Sequence, residues 1–106
     1  MKTFDELTLS EPLARAISEM GFITPSPIQA QALPILLDSP TDFIGLAATG
    51  TGKTAAFGIP LLSKLDCEKR SVQAIILCPT RELSLQIAEQ INLIGKHLGI
   101  KALPIY

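Results

Sequence analysis

Residues 47–54, AATGTGKT, constrain this chain more than any other stretch. An apolar run, Phe43-Ile44-Gly45-Leu46, precedes them, and the residues that follow can continue as a helix. That is the strand, loop, helix setting of a phosphate-binding loop. Gly50 and Gly52 can take positive φ, which lets successive backbone N–H groups converge on an anion at a helix N-terminus, where the helix dipole also favours negative charge. In such a loop Lys53 reaches the outer phosphates as a point charge, and the Thr54 hydroxyl is placed to ligate Mg²⁺. The strict pattern opens on Gly, and Ala47 stands there instead. Alanine serves if the backbone keeps negative φ on leaving a strand. The plain alternative is a Gly/Thr-rich turn followed by a surface lysine, which would need neither the Lys-Thr pair at this offset nor two glycines so closely spaced.

The flanking sequence predicts alternating helices and strands. Ser10 as N-cap with Pro12 in the first turn starts a helix that buries Leu13, Ile17 and Met20 and closes at Gly21. A second helix starts at Pro27, with Ser26 and Gln29 as a capping box, and Pro34 should kink or end it early. Residues 43–47 read as a strand, and residues 52–65 as a helix weakened by Gly58 and Pro60. After a charged loop at 66–71, the run Val72-Gln73-Ala74-Ile75-Ile76-Leu77-Cys78 reads as a parallel strand buried on both faces. Thr80 caps a long helix in which Leu83, Ile87, Ile91, Ile94 and Leu98 recur at helical spacing up to Gly99. A third strand, weakened by Pro104, fills 100–106. The pattern is that of an α/β fold, a parallel sheet flanked by helices.

Composition narrows the setting. In 106 residues, 47% are hydrophobic and 18% charged, enough apolar matter for a core and too much for a disordered chain. Net charge is −1, so any nucleic-acid contact must be local rather than carried by a basic surface. Cys67 and Cys78 lack metal-ligand spacing, and no apolar run approaches the ~18 residues of a membrane span, so the expected setting is reduced and cytoplasmic, with no membrane partner.

Three stretches together resemble the N-terminal part of a DEAD-box ATP-dependent RNA helicase. Residues 21–29, GFITPSPIQ, with Phe4 as the upstream aromatic, look like that family's Q motif. Residues 47–54 look like its motif I, where alanine at the first position is usual, and residues 79–86, PTRELSLQ, resemble motif Ia with Ser84 in place of a commoner alanine. The resemblance implies a partial RecA-like P-loop NTPase domain covering residues 1–106, using ATP and Mg²⁺ and acting on RNA. It implies ATP contacts from Phe4, Phe22, Thr24, Gln29, Ala48, Thr49, Gly50, Thr51, Gly52, Lys53 and Thr54, with Lys53 stabilising phosphate in catalysis and Thr54 on Mg²⁺. It further implies RNA backbone contacts from Pro79, Thr80, Arg81 and Glu82. No Asp-Glu-Ala-Asp segment occurs in the chain. Its partners would therefore include the remainder of the helicase core, and alone it should not turn over ATP.

Plainer roles stand beside several of these. Gln29 can be the return half of a capping box instead of an adenine contact, Phe4 can be core, and Thr80-Arg81-Glu82 can be an N-cap with first-turn charges. His97 reads as a charge partner for a helix C-terminus. Two other classes share the phosphate loop: another P-loop ATPase or kinase, in which Gln29 and Thr80-Arg81-Glu82 would be accidental, and a non-catalytic nucleotide- or partner-binding module.

Overall fold

The computed structural model describes residues 1–47, 50 and 52–106; Ala48, Thr49 and Thr51, named above as ATP contacts, lie outside the described residues. A 3-10 turn at Phe4–Glu6 leads into α1 (Glu11–Glu19), α2 (Pro27–Asp38), α3 (Lys53–Lys64) and α4 (Arg81–Ile94). Helix α3 packs against both α2 and α4, and α1 touches α4. Leu13, Leu33, Ile59, Leu62 and Ile94, drawn from all four helices, are fully buried.

Helix α1 ends as its glycine predicts. Gly21 has φ +78°, its N–H donates to Ser18 O at 3.0 Å, and the Phe22 N–H donates to Ile17 O at 3.2 Å. This is a Schellman ending, which satisfies two orphan carbonyls and fixes the direction in which Phe22 leaves the helix. Helix α2 begins at Pro27 but runs on through Pro34 to Asp38. Pro34 lacks the N–H that would donate back, yet packing of Ala32 and Leu33 in the core holds the helix past it.

Gly58 does not weaken α3 so much as let it approach α4. A Cβ built at Gly58 would lie 2.8 Å from Ile91 Cδ1 and 3.6 Å from Ile94 Cδ1, so the absent side chain is what brings these helices together. Helix α4 stops at Ile94, sooner than the periodic pattern up to Leu98 suggests. Here Gly95 presses on α3: its Cβ would sit 3.3 Å from Leu62 Cδ2. The chain then tightens into a turn closed by Leu98 N–H to Gly95 O at 3.0 Å, and Gly99 takes positive φ, +72°.

The parallel sheet is not formed among the described residues. Runs 43–47, 72–78 and 100–106 form no strand and no ladder bonds. Burial of 72–78 on both faces is likewise corrected, since Val72, Ile75 and Leu77 are 80–90% exposed while Ile76 and Cys78 are half-buried. The reason is pairing: a strand needs neighbours ~4.8 Å to either side, and these runs have none within the described chain. Side-chain amides substitute at two points. Gln73 accepts from Asp66 N–H at 2.9 Å and donates to Asp66 O at 2.8 Å, and Asn92 does the same for Ala102 at 2.7 and 3.1 Å.

Candidate functional site

Gly50 and Gly52 have φ of +78° and +82°, so the two loop glycines adopt the conformation that the motif requires. Gly52 is the N-cap of α3. It is constrained twice over, because a Cβ there would also collide with Gln29 Nε2 and come within 3.3 Å of Ser26 Oγ. Lys53 lies over the start of the loop, donating from Nζ to Ala47 O at 2.8 Å. Thr54 sits in the first turn of α3, half-buried.

The contact with Gln29 joins two motifs that the sequence separates. Gln29 is buried; its Oε1 accepts from Ser26 N–H at 2.9 Å and its Nε2 donates to Gly52 O at 3.1 Å. The capping box is therefore half made, with the return bond present but the Ser26 Oγ buried and without a hydrogen-bond partner. The sequence pattern identified the cap; it held no signal for the Gly52 bond, which spans two helices.

Upstream in the chain, Phe4 stacks on Phe22 with ring centroids 5.6 Å apart and 28° between planes. A backbone bond from Phe4 N–H to Ile23 O, 3.1 Å, holds the N-terminal turn against the Q-like stretch. Phe4 is buried and braces Phe22, which is half-buried, while Thr24 is exposed. Phe4 with Phe22 and Gln29 with Gly52 are thus two contacting pairs, both reached from the stretch that leads from α1 into α2.

Pro79, Thr80, Arg81 and Glu82 form a second group at the exposed start of α4. Thr80 Oγ1 accepts from Leu83 N–H at 3.2 Å, so the N-cap role is realised. Ser84 Oγ donates to Arg81 O at 2.7 Å, and the Arg81 guanidinium lies 4.3 Å from the centroid of the Tyr106 ring. The buried face of α4, rather than its start, meets α3, so the two groups are joined through the helix core and not by direct contact.

His97 corrects an expectation. It lies in the turn beyond α4, and instead of serving carbonyls it binds α1: Nε2 pairs with Glu19 Oε1 and Nδ1 accepts from Arg15 Nη2 at 2.9 Å. Because arginine only donates, Nδ1 carries the lone pair and Nε2–H points at Glu19. The Glu19 carboxyl is held below its ordinary pKa, first by that hydrogen bond. Glu6 is lowered too, by the backbone N–H groups of Thr3 and Lys2.

A family model described as DEAD/DEAH box helicase matches residues 26–106. The chain is 53% identical, over its full length, to the DEAD-box ATP-dependent RNA helicase CshA of Bacillus cereus, of which it covers 20%. Among solved structures it is similar to S. cerevisiae Dbp5 bound to RNA and ADP BeF3, with 44% identity and a TM-score of 0.87 over 94% of this chain and 26% of that one. It is also similar to a DEAD box protein of Methanococcus jannaschii, with 38% identity and a TM-score of 0.85 over 100% of this chain and 29% of that one. This chain belongs to the DEAD/DEAH box helicase family, and its fold is that of the corresponding part of those proteins. It spans about a fifth of the length of the curated relatives it matches.

Proposed function

We propose that residues 1–106 form the N-terminal portion of a RecA-like domain that binds ATP within an ATP-dependent RNA helicase, an enzyme that remodels RNA through ATP binding and hydrolysis. The observation that carries this reading is the bond from Gln29 to Gly52, which couples the side chain suited to an adenine edge to the glycine that shapes the phosphate loop. The names of the relatives, ATP-dependent RNA helicases, supply the class. In this reading adenine lies against Phe4, Phe22, Thr24 and Gln29, and the phosphates lie on the loop from Ala48 to Lys53. A side chain at Gly52 would collide with Gln29 Nε2, so the bond from Gln29 and the positive φ both require glycine there.

Mg²⁺ would be held by the Thr54 hydroxyl and would neutralise charge on the phosphates. Among the described residues no cluster of three His, Cys, Asp or Glu could hold a metal alone, so the ion would arrive with the nucleotide. Lys53 would exchange Ala47 O for the outer phosphates. Pro79, Thr80, Arg81 and Glu82 would hold an RNA backbone through first-turn N–H groups and the Arg81 charge. The remainder of the helicase core would complete the parallel sheet beside runs 43–47, 72–78 and 100–106 and add the carboxylates. None of the described helices is long and apolar enough to cross a membrane, and a cytoplasmic setting suits an RNA remodeller.

The test is titration with a fluorescent ATP analogue in Mg²⁺. Lys53→Ala should remove most of the affinity, and Thr54→Ala should mainly remove its Mg²⁺ dependence. Equal binding by wild type and Lys53→Ala would sink the phosphate-loop assignment.

A further inference from the structure

The contact between Arg81 and Tyr106 belongs to none of the motifs above. Tyr106 is far from Arg81 in sequence, yet the fold brings it there by a measurable route. Asn92 clamps Ala102 by both of its backbone groups, which fixes where the last extended run crosses α4. From 102 to 106 an extended chain advances ~13 Å, and from 92 back to 81 a helix covers ~16 Å. The run therefore ends beside the start of α4, with the ring under the guanidinium at 4.3 Å. Both side chains are exposed, so neither is there to fill the core.

A guanidinium laid on a ring face keeps its five N–H donors in their own plane, directed outward and unspent. A carboxylate partner would consume them, and no ion pair engages Arg81 among the described residues. The ring also removes rotamer freedom that arginine would otherwise lose on binding. We propose that Tyr106 is a positioning residue for RNA: it holds the Arg81 guanidinium by a cation–π contact so that its N–H edge meets a backbone phosphate at the N-terminus of α4. This rests on the reading of Arg81 as an RNA contact, and the experiment separates the two.

Binding of a short fluorescein-labelled oligouridylate to the 106-residue chain is followed by anisotropy across a salt series. Tyr106→Ala should weaken binding about twofold to fivefold, the worth of an exposed cation–π contact. Tyr106→Phe, which keeps the ring face, should bind as wild type. Arg81→Ala should weaken binding further and reduce the salt slope by about one phosphate, whereas Tyr106→Ala should leave that slope unchanged, since the charge remains. Tyr106 is the sole tyrosine and the chain has no tryptophan, so intrinsic emission reports on this ring alone. Without RNA, Arg81→Ala should make that emission easier to quench with acrylamide. If Arg81→Ala weakens binding and Tyr106→Ala does not, the positioning role is overturned while the RNA contact stands. If Tyr106→Ala still weakens binding in the Arg81→Ala background, the ring touches RNA itself and the role is overturned. If Arg81→Ala changes nothing, or the wild-type chain binds no RNA, the RNA reading fails and this inference with it.

Discussion

At the scale of single residues, Gln29 has three partners to satisfy and only one amide. Its carbonyl accepts from Ser26 and its NH₂ donates to Gly52, which leaves one lone pair and one N–H to meet an adenine edge. Gln29→Ala should therefore cost stability, about 1–3 kcal/mol for leaving buried partners unsatisfied. It should also weaken ATP binding roughly fivefold to tenfold while leaving a weaker GTP binding nearly unchanged, for ~1 kcal/mol of lost base contact. Chemical denaturation and nucleotide titration check the two halves, and equal losses for ATP and GTP would assign Gln29 to the cap alone. Gln29→Glu is the sharper probe, because it keeps the acceptor for Ser26 and loses the donor to Gly52. The sequence made Ser26, Gln29, Gly50 and Gly52 legible because their roles are local. It could not reveal that Gln29 and Gly52 touch, nor that Arg15, Glu19 and His97 do, since those contacts depend on how whole helices pack.

Among elements, the glycine of α3 shows how local propensity misleads. Gly58 lowers helix propensity by about 1 kcal/mol relative to alanine, and from sequence that is all it does. In the fold it is the contact point with Ile91. Gly58→Val should destabilise by about 1–3 kcal/mol through overpacking, far more than its propensity would suggest. Ile91→Val removes the Cδ1 that the new side chain would strike. In the double variant the two losses should therefore be less than additive, and a denaturant-based double-mutant cycle measures the difference. Additive losses would mean that the helices do not meet there. Start signals were read well in α1, α2 and α4, where the capping residue and proline lie next to the helix they begin. Ends are less legible: the helical spacing from Leu83 continues to Leu98, yet α4 stops at Ile94 with Gly95 as its C-cap.

For the whole molecule, the tie from α1 to the turn after α4 makes stability depend on pH in a defined direction. Glu19 has a lowered carboxyl pKa in the fold, so its contribution is present above the ordinary value of 4.5 and is lost as pH falls through the folded value. Thermal unfolding of wild type and Glu19→Gln should differ at neutral pH and converge as pH falls below 4.5 and through the lowered folded value. A gap that persisted in acid would point to packing of the side chain rather than its charge. ATP turnover belongs to the same scale. In the proposed reading the chain supplies the phosphate loop but has no Asp-Glu-Ala-Asp segment, so sustained RNA-stimulated hydrolysis by these residues alone should be undetectable. An ATPase assay of the purified chain, then of a mixture with the remainder of the helicase core, tests this. The four helices are legible from period and turn residues, but a sheet is made by pairing between distant runs, and that pairing is what the sequence does not state.

The paired amides of Gln73 and Asn92 have a consequence on the time axis. Each protects one backbone N–H, that of Asp66 or of Ala102, and the neighbouring runs offer no ladder to protect the others. Deuterium should then enter residues 72–78 and 100–106 almost as fast as it enters an unfolded peptide, with Ala102 a slow site among fast ones and Asp66 a slow site just ahead. Helices α3 and α4 would still be holding their protons when those runs had exchanged. Replacing Asn92 with alanine should release Ala102 and leave the α3 core amides as slow as before, so one side chain sets the clock for a single amide in a run that otherwise exchanges freely.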